Sequence, residues 1–296
     1  MNKSIIFGCG TALITPFTKK GEVDYITYSN LVIRQIINGI DFLVVLGTTG
    51  ESACLNFEEK IKLIKITIDV VEKKIPIYVG VGSNCTYDTI KIIKKLDNMP
   101  IDGYLVVTPY YNKPTQVGLY NHFQMIAENT QKSIIMYNIP ARTGVNLSAD
   151  TCIKLTEIKN IIAIKEASNN YIQVVDIIKR TNANNFAVLA GNDNEILSLI
   201  ASGARGIISA VSNVIPQEMS ILTNKLLKND IKTAQKIFYQ YIDFFNSCFL
   251  ETNPIPIKAI MHEIGLIENI LRTPLYPAHK DTISILKQDI KNLNLF

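Results

Sequence analysis

The chain has 296 residues, 47% of them apolar and 19% charged, with no low-complexity tract, so it can bury a large core and is not expected to be disordered. Its 30 basic and 26 acidic residues are mixed along the chain for a net charge of +4, and no basic stripe interleaved with aromatics points to a nucleic-acid partner. No apolar run approaches the roughly 20 residues that span a bilayer. The opening MNKSIIFGCG has too short an apolar segment for a secretory leader, so a cytoplasmic protein without a membrane partner is expected.

Eight short aliphatic or β-branched runs recur in chain order: GTALIT, DFLVVLG, IPIYVGVG, GYLVVTP, SIIMYN, IIAIK, FAVLAG and GIISA. Most are separated by about 25 to 35 residues, and the intervening segments show a helical period, which is the rhythm of βα units. Their apolarity is continuous rather than alternating, as parallel strands covered on both faces require. After the second run, NFEEKIKLIKITIDVVEKK predicts a helix. Asn56 caps it, Glu59 stands at its third position, and Ile61, Ile64, Ile68 and Val71 make the apolar face.

Eight such units, with no GxGxxG after the first run, predict a (β/α)8 barrel over residues 1–226 rather than a doubly wound sheet. After about Asn224 the strands stop, and residues 227–296 read as a C-terminal helical region. Five cysteines (Cys9, Cys54, Cys85, Cys152 and Cys248) at wide spacing, with no CxxC pair, read as free buried thiols. His122, His262 and His279 are scattered, and scattered histidines are surface or satisfied core positions more often than ligands, so no metal site is expected.

In such barrels the chemistry sits where the strands end, so polar residues directly after the apolar runs are the candidates. Strand two ends in GTTGES, where Gly47 and Gly50 free the backbone around Thr48 and Thr49 to present amides and hydroxyls to an anion; a plain turn is the competing reading. Strand four ends in VTPYYNKP, which sets Tyr110 and Tyr111 on a rigid loop suited to a pocket or a subunit interface. Strand five ends in YNIPARTG. There the Tyr137 phenol is placed to pass protons and the Arg142 guanidinium to grip a carboxylate, unless they are a rim tyrosine and a surface ion pair.

Strand six ends in Lys165. A solvated lysine is the commoner meaning of such a position. A lysine turned into the barrel mouth would instead be desolvated, its pKa falling from about 10.4 toward neutrality, and would supply an amine able to attack a ketone. Glu166, next in line, points to the other side of the strand. Strand seven ends in Gly191, which allows close approach of a ligand to the backbone, and Ile207 to Ala210 of strand eight wall the pocket.

GTTGES, TPYYNKP, YNIPARTG and IAIKEAS, in this order and at the ends of strands two, four, five and six, resemble the pyruvate-dependent class I aldolase family, and the resemblance covers nearly the whole chain. It implies a (β/α)8 barrel, a homotetramer built as a dimer of dimers, and no cofactor. The branch it fits condenses pyruvate with L-aspartate 4-semialdehyde to 4-hydroxy-tetrahydrodipicolinate in lysine and diaminopimelate biosynthesis. Carried over by position, Lys165 matches the Schiff-base lysine, and Tyr137, Thr48 and Tyr111 match the proton relay, with Tyr111 contributed across a tight dimer interface. Thr48 and Thr49 match the grip on the pyruvate carboxylate, Arg142 the grip on the semialdehyde carboxylate, and Gly191 and Ile208 the pocket lining.

Pyruvate-forming lyases of sugar acids or hydroxy-keto acids in the same family share the lysine and tyrosine but usually lack the arginine, so Arg142 favours the condensing branch. The resemblance also implies an allosteric lysine site, for which Ser52, Ala53, Asn84, Asp88 and Tyr110 are candidates. Here the sequence departs from the pattern: Phe57 and Lys60 stand where histidine or glutamate is common in lysine-inhibited members. A cation at Lys60 opposes a cationic effector, so feedback by lysine is expected to be weak or absent.

Overall fold

A computed structural model describes residues 5–295 of the chain. The first four residues of MNKSIIFGCG and the last residue of the expected helical region lie outside the described residues. In chain order the structure runs β1 (Gly8–Ala12), α1 (Tyr25–Ile37), β2 (Phe42–Val45), α2 (Phe57–Val71), β3 (Ile77–Val81), α3 (Thr86–Leu96), β4 (Gly103–Val107), α4 (Gln116–Glu128) and β5 (Ser133–Asn138). It continues with α5 (Pro140–Thr143), α6 (Ala149–Leu155), β6 (Ile161–Glu166), α7 (Tyr171–Arg180), β7 (Ala187–Ala190), α8 (Ile196–Ala201), β8 (Gly206–Ser209) and α9 (Pro216–Leu227), and ends with α10 (Ile231–Ser247), α11 (Ile255–Glu263) and α12 (Lys280–Leu293). The eight strands follow sequence order round a closed barrel, pairing in parallel at β1–β2 and from β3 through β8.

Each of the eight apolar runs is a strand, and β2, β6, β7 and β8 are buried at every position. That continuous burial is why the runs do not alternate: both faces are covered, one by the barrel interior and one by helices. Side-chain caps start most of the longer helices, with Asp24, Thr115, Ser148, Asn170 and Asp230 each accepting a hydrogen bond from a first-turn amide. At α2 the capping box is complete, Asn56 bonding the Glu59 amide and Glu59 bonding the Asn56 amide. Its buried face differs from the expected one. Leu63, Ile64, Thr67 and Val71 are covered, while Ile61 and Ile68 are half-buried, because the Thr67 hydroxyl meets the phenol of Tyr28 from α1 at 2.8 Å and so turns that side inward.

The chain resolves into two compact units. The first contains residues up to 8 and 77–208, hence β3 to β8 with α3 to α8. Its core is aliphatic, built on Val79, Leu105, Ile135, Ile164, Leu189 and Ile207. The second contains 9–76 and 209–296, so β2 and the loop after it belong with the C-terminal helices α9 to α12. Arg34 and Gln35 of α1 hold the turn after β8 in that unit: Arg34 donates to the carbonyls of Asn213 and Val214 at 2.9 and 2.7 Å, and Gln35 to that of Ser212 at 3.2 Å.

Cys9, Cys152 and Cys248 are buried and unbridged as expected, whereas Cys54 and Cys85 are only half-buried. His122 is a core residue bonded to the Thr86 hydroxyl at 2.9 Å, His262 bonds the Ile267 carbonyl at 3.0 Å, and His279 caps α12. Among the described residues no cluster of metal-ligand type occurs, and no described helix is long and apolar enough to cross a membrane.

Gly206 starts β8 at a φ of 152°, and a Cβ there would run into the carbonyl oxygen of Gly8. Backbone cannot give way as a side-chain tip can, so Gly206→Ala is expected to lower the unfolding free energy by about 3 kcal/mol, read as a shifted urea midpoint at unchanged slope.

Candidate active site

The amine and the phenol stand at the ends of β6 and β5. Tyr137 pairs with Lys165, and Asn138 with Glu166. The register shifts between Ile134, opposite Ile161, and Ile135, opposite Ala163; without that extra residue Tyr137 would pair with Ile164. Because side chains alternate across a sheet, Lys165 and Tyr137 share one face, and Glu166 and Asn138 share the other.

Lys165 is 6% exposed, and its Nζ lies 4.6 Å from the centroid of the Tyr137 ring. The π face favours an ammonium by about 0.5–2 kcal/mol. Burial works the other way and wins: the amine's pKa is pushed down to about 8, a change the nearby Asp193 carboxylate opposes and the Arg142 guanidinium reinforces. From an ordinary 10.5 this is about 3 kcal/mol in favour of the neutral amine.

Lys258, on α11 in the second unit, is equally buried and its pKa is also about 8, chiefly from burial. What separates the two lysines is commitment. Lys258 is held in an ion pair with Glu51 at 2.5 Å and donates to the Ile270 carbonyl at 2.9 Å. Among the described residues the Lys165 amine has neither a hydrogen bond nor an ion pair.

On the opposite face Glu166 is fully occupied. Both its oxygens accept from Asn138 Nδ2 at 3.1 Å, Oε1 from the Ser168 amide at 2.9 Å, and Oε2 from Gln173 of α7 at 3.4 Å. Burial raises its pKa, and these bonds restrain the rise. The Glu166 carbonyl accepts from the Gly191 amide at 2.7 Å. A Cβ on Gly191 would meet that same oxygen and the Ala167 Cβ at 2.7 Å, so β7 can end against β6 only through a bare backbone. Ile208 is buried within β8.

Arg142 lies on the exposed part of α5, directly after β5. Tyr111 is 87% exposed at a φ of 74°, and its amide donates to the carbonyl of Thr143, the neighbour of Arg142, at 3.2 Å. A left-handed tyrosine costs on the order of 1–2 kcal/mol and persists only where its surroundings impose it. Asn84 sits by the same loop, its carbonyl accepting from Asn112 at 2.7 Å, with Tyr110 two residues before Asn112; Asp88 pairs instead with Lys91 at 3.2 Å.

Thr48 and Thr49 belong to the second unit. The turn after β2 is tight: the Gly50 amide donates to Gly47 at 3.1 Å, the Glu51 amide to Thr48 at 3.0 Å, and the Gly50 carbonyl accepts from the Thr15 hydroxyl at 2.7 Å. Thr48 is exposed, while Thr49 is 2% exposed with its hydroxyl 2.8 Å from Asn253 Nδ2. Ser52 and Ala53 follow in a short 3₁₀ turn, Ser52–Cys54.

Three participants are absent from the strand-end reading. Asp193, fully buried just past β7, acts on Lys165, and Asn253 and Lys258 from the C-terminal region reach the β2 turn. Asp193 lies two residues after Gly191 in the segment LAGNDN, residues 189–194, that closes strand seven, so its place directly after an apolar run was a signal for it. Nothing near Asn253 in sequence points to a residue some 200 positions away.

Residues 6–293 match the Dihydrodipicolinate synthetase family, and the chain belongs to it. It is 44% identical over 289 residues to the 4-hydroxy-tetrahydrodipicolinate synthase of Fervidobacterium nodosum, a match spanning 97% of this chain and 98% of that protein. Among solved structures, the dihydrodipicolinate synthase of Thermotoga maritima superposes with a TM-score of 0.96 at 41% identity, over 99% of this chain and all of the other. The chloride-inhibited enzyme of Acinetobacter baumannii, complexed with pyruvate, superposes with a TM-score of 0.96 at 38% identity over 98% of this chain and 100% of that one.

An amine adds to a carbonyl only in its neutral form, so deprotonation would activate Lys165 toward a ketone. Trapping by a small 2-keto acid with cyanoborohydride is therefore expected to speed up as pH rises from 6 and to level off above about 8. A lysine of ordinary pKa would still be accelerating about tenfold per pH unit there. Initial rates of label incorporation across pH 6–10 make the measurement.

Proposed function

We propose that this chain is a class I, Schiff-base-forming lyase that condenses pyruvate with L-aspartate 4-semialdehyde to 4-hydroxy-tetrahydrodipicolinate, in lysine and diaminopimelate biosynthesis. The observation that carries this reading is a buried, uncommitted lysine of lowered pKa beside a tyrosine phenol, with an arginine close enough to act on it. Family membership over nearly the whole chain supports it.

In this scheme the Lys165 nitrogen attacks the keto carbon of pyruvate and the carbinolamine loses water. The protonated imine that results draws electrons, so a methyl proton leaves and an enamine forms. Its terminal carbon bonds to the aldehyde carbon of the second substrate, whose oxygen takes up a proton. The amino group of that substrate then adds to the imine carbon and displaces Lys165, closing the ring and returning the amine.

Tyr137, Thr48 and Tyr111 pass the protons. Thr48 and Thr49 hold the pyruvate carboxylate, Arg142 holds that of the semialdehyde, and Gly191 and Ile208 line the pocket. Tyr111 acts from a neighbouring copy across a tight dimer interface, and two such dimers make a homotetramer; the 87% exposure of a strained tyrosine in the single chain supports this role. The enzyme works in the cytoplasm.

Ser52, Ala53, Asn84, Asp88 and Tyr110 form the allosteric region. In this reading Lys60 adds its ammonium to that region; its amine is half-buried with a pKa lowered by burial, and Phe57 one turn before it is half-exposed. A lysine effector meets a like charge at that point, so a steady-state titration is expected to stay above half activity at 1 mM lysine, on the order of the few kcal/mol that paired cations cost. Half-inhibition at sub-millimolar lysine would contradict this.

Borohydride reduction with pyruvate followed by peptide mass analysis tests the whole scheme. Label is expected on Lys165, and an unmodified Lys165 sinks it. Arg142→Ala is expected to keep that label while losing about a hundredfold in kcat/KM for the semialdehyde. Full activity of this variant in cleaving sugar acids would favour a pyruvate-forming lyase instead.

A further inference from the structure

Resting on the assignment of Thr49 to the pyruvate carboxylate, we propose that Asn253 and Lys258 of the C-terminal region are positioning residues that make the β2 turn a receiver of anions. Asn253 turns the Thr49 hydroxyl into a donor, and Lys258 cancels the charge of Glu51 beside it.

A threonine hydroxyl has one proton and can present either that proton or its lone pairs to a ligand. Asn253 Nδ2 donates to Thr49 Oγ1 at 2.8 Å, which occupies a lone pair. Thr49 is 2% exposed, and among the described residues Asn253 is the hydrogen-bond partner of its side chain. The O–H is thereby left to point away from Asn253 as a donor, the polarity a carboxylate needs.

Two residues further on, Glu51 would spoil such a turn. It is 4% exposed, so its carboxylate is shut off from water, and its backbone stands in the left-handed conformation at a φ of 49°. Lys258 meets it in a fully buried ion pair. The Arg272 amide donates to its second oxygen at 3.0 Å. Arg272 is itself locked, its guanidinium donating to both oxygens of Glu59 at 2.7 and 2.6 Å and to the carbonyls of Gly21 and Cys54 at 3.0 to 3.1 Å. The Phe17 ring sees Lys258 at 4.1 Å and Arg272 at 4.7 Å, which adds favourable contact to both cations. The anion next to the carboxylate grip is thus neutralised and fixed by side chains from the far end of the chain.

The test measures KM for each substrate separately. Asn253→Asp replaces the donor by an acceptor, so Thr49 turns its proton toward residue 253 and shows lone pairs to pyruvate. KM for pyruvate is expected to rise about ten- to a hundredfold, with KM for the semialdehyde little changed. Asn253→Ala, which leaves the hydroxyl free to rotate, is expected to give a smaller rise in the same parameter, and keeps the test open if the aspartate variant does not fold. In a Thr49→Val background the alanine change is expected to add nothing, since there is no hydroxyl left to orient. For the charge, Lys258→Met is expected to raise pyruvate KM, and Glu51→Gln combined with Lys258→Met to restore most of it, whereas a purely structural role would leave the double variant no better.

Pyruvate KM within about twofold of wild type in both Asn253 variants, or an equal rise for both substrates, overturns the inference. So does full additivity with Thr49→Val. Wild-type protein is reduced with borohydride and pyruvate alongside. Label on Lys165 with unchanged pyruvate KM in the variants defeats this inference alone, while absence of label defeats the aldolase reading and this inference with it.

Discussion

One residue of register between β5 and β6 underlies the arrangement around Lys165. With Ile134 opposite Ile161 and Ile135 opposite Ala163, β6 gains a residue on its partner, and Lys165 comes level with Tyr137. A regular ladder would have set Ile164 there and turned the amine to the other face, among the groups that now bond Glu166. The shift therefore sorts two adjacent ionisable side chains into different surroundings. One becomes a nearly bare amine under an aromatic ring, and the other a carboxyl tied to Asn138, Ser168 and Gln173.

That division has an energetic logic. Burying a charge is costly unless hydrogen bonds or a counter-charge replace water. Glu51 with Lys258, Glu59 with Arg272, and Glu166 with its amide donors meet the cost by pairing. At Lys165 the cost shows as a pKa pushed down to about 8 by burial, a fall that Asp193 limits, so the proton is held more weakly than on an ordinary lysine. Two buried lysines of lowered pKa thus differ in their surroundings: Lys258 is committed to Glu51 and a carbonyl, and Lys165 has no hydrogen bond or ion pair among the described residues.

The C-terminal helices reach the turn after β2 with polar side chains as well as packing. They belong to the same compact unit as the turn after β2, and Asn253, Lys258 and Arg272 reach Thr49 and Glu51 within it. Tyr111 is the complementary case of a residue that looks outward: it is strained, exposed, and held through its amide by the carbonyl of Thr143, the neighbour of Arg142.

The eight strands, the capping box of α2 and the polar residues closing each strand were legible in the linear chain. Each rests on a local property: an apolar run, an Asn-x-x-Glu spacing, or a residue next to a run. The buried face of α2 was not legible, because Thr67 turns inward through a bond to Tyr28, a residue of another helix. For the same reason the chain order alone left Lys165 between a solvated and a buried reading. Four motifs in sequence established the family and the amine to watch. Only the folded barrel decided that the amine is buried, without a hydrogen bond or ion pair among the described residues, and level with Tyr137, and that Asn253 and Lys258 attend the β2 turn, because desolvation, register and contacts over 200 residues are properties of neighbours in space.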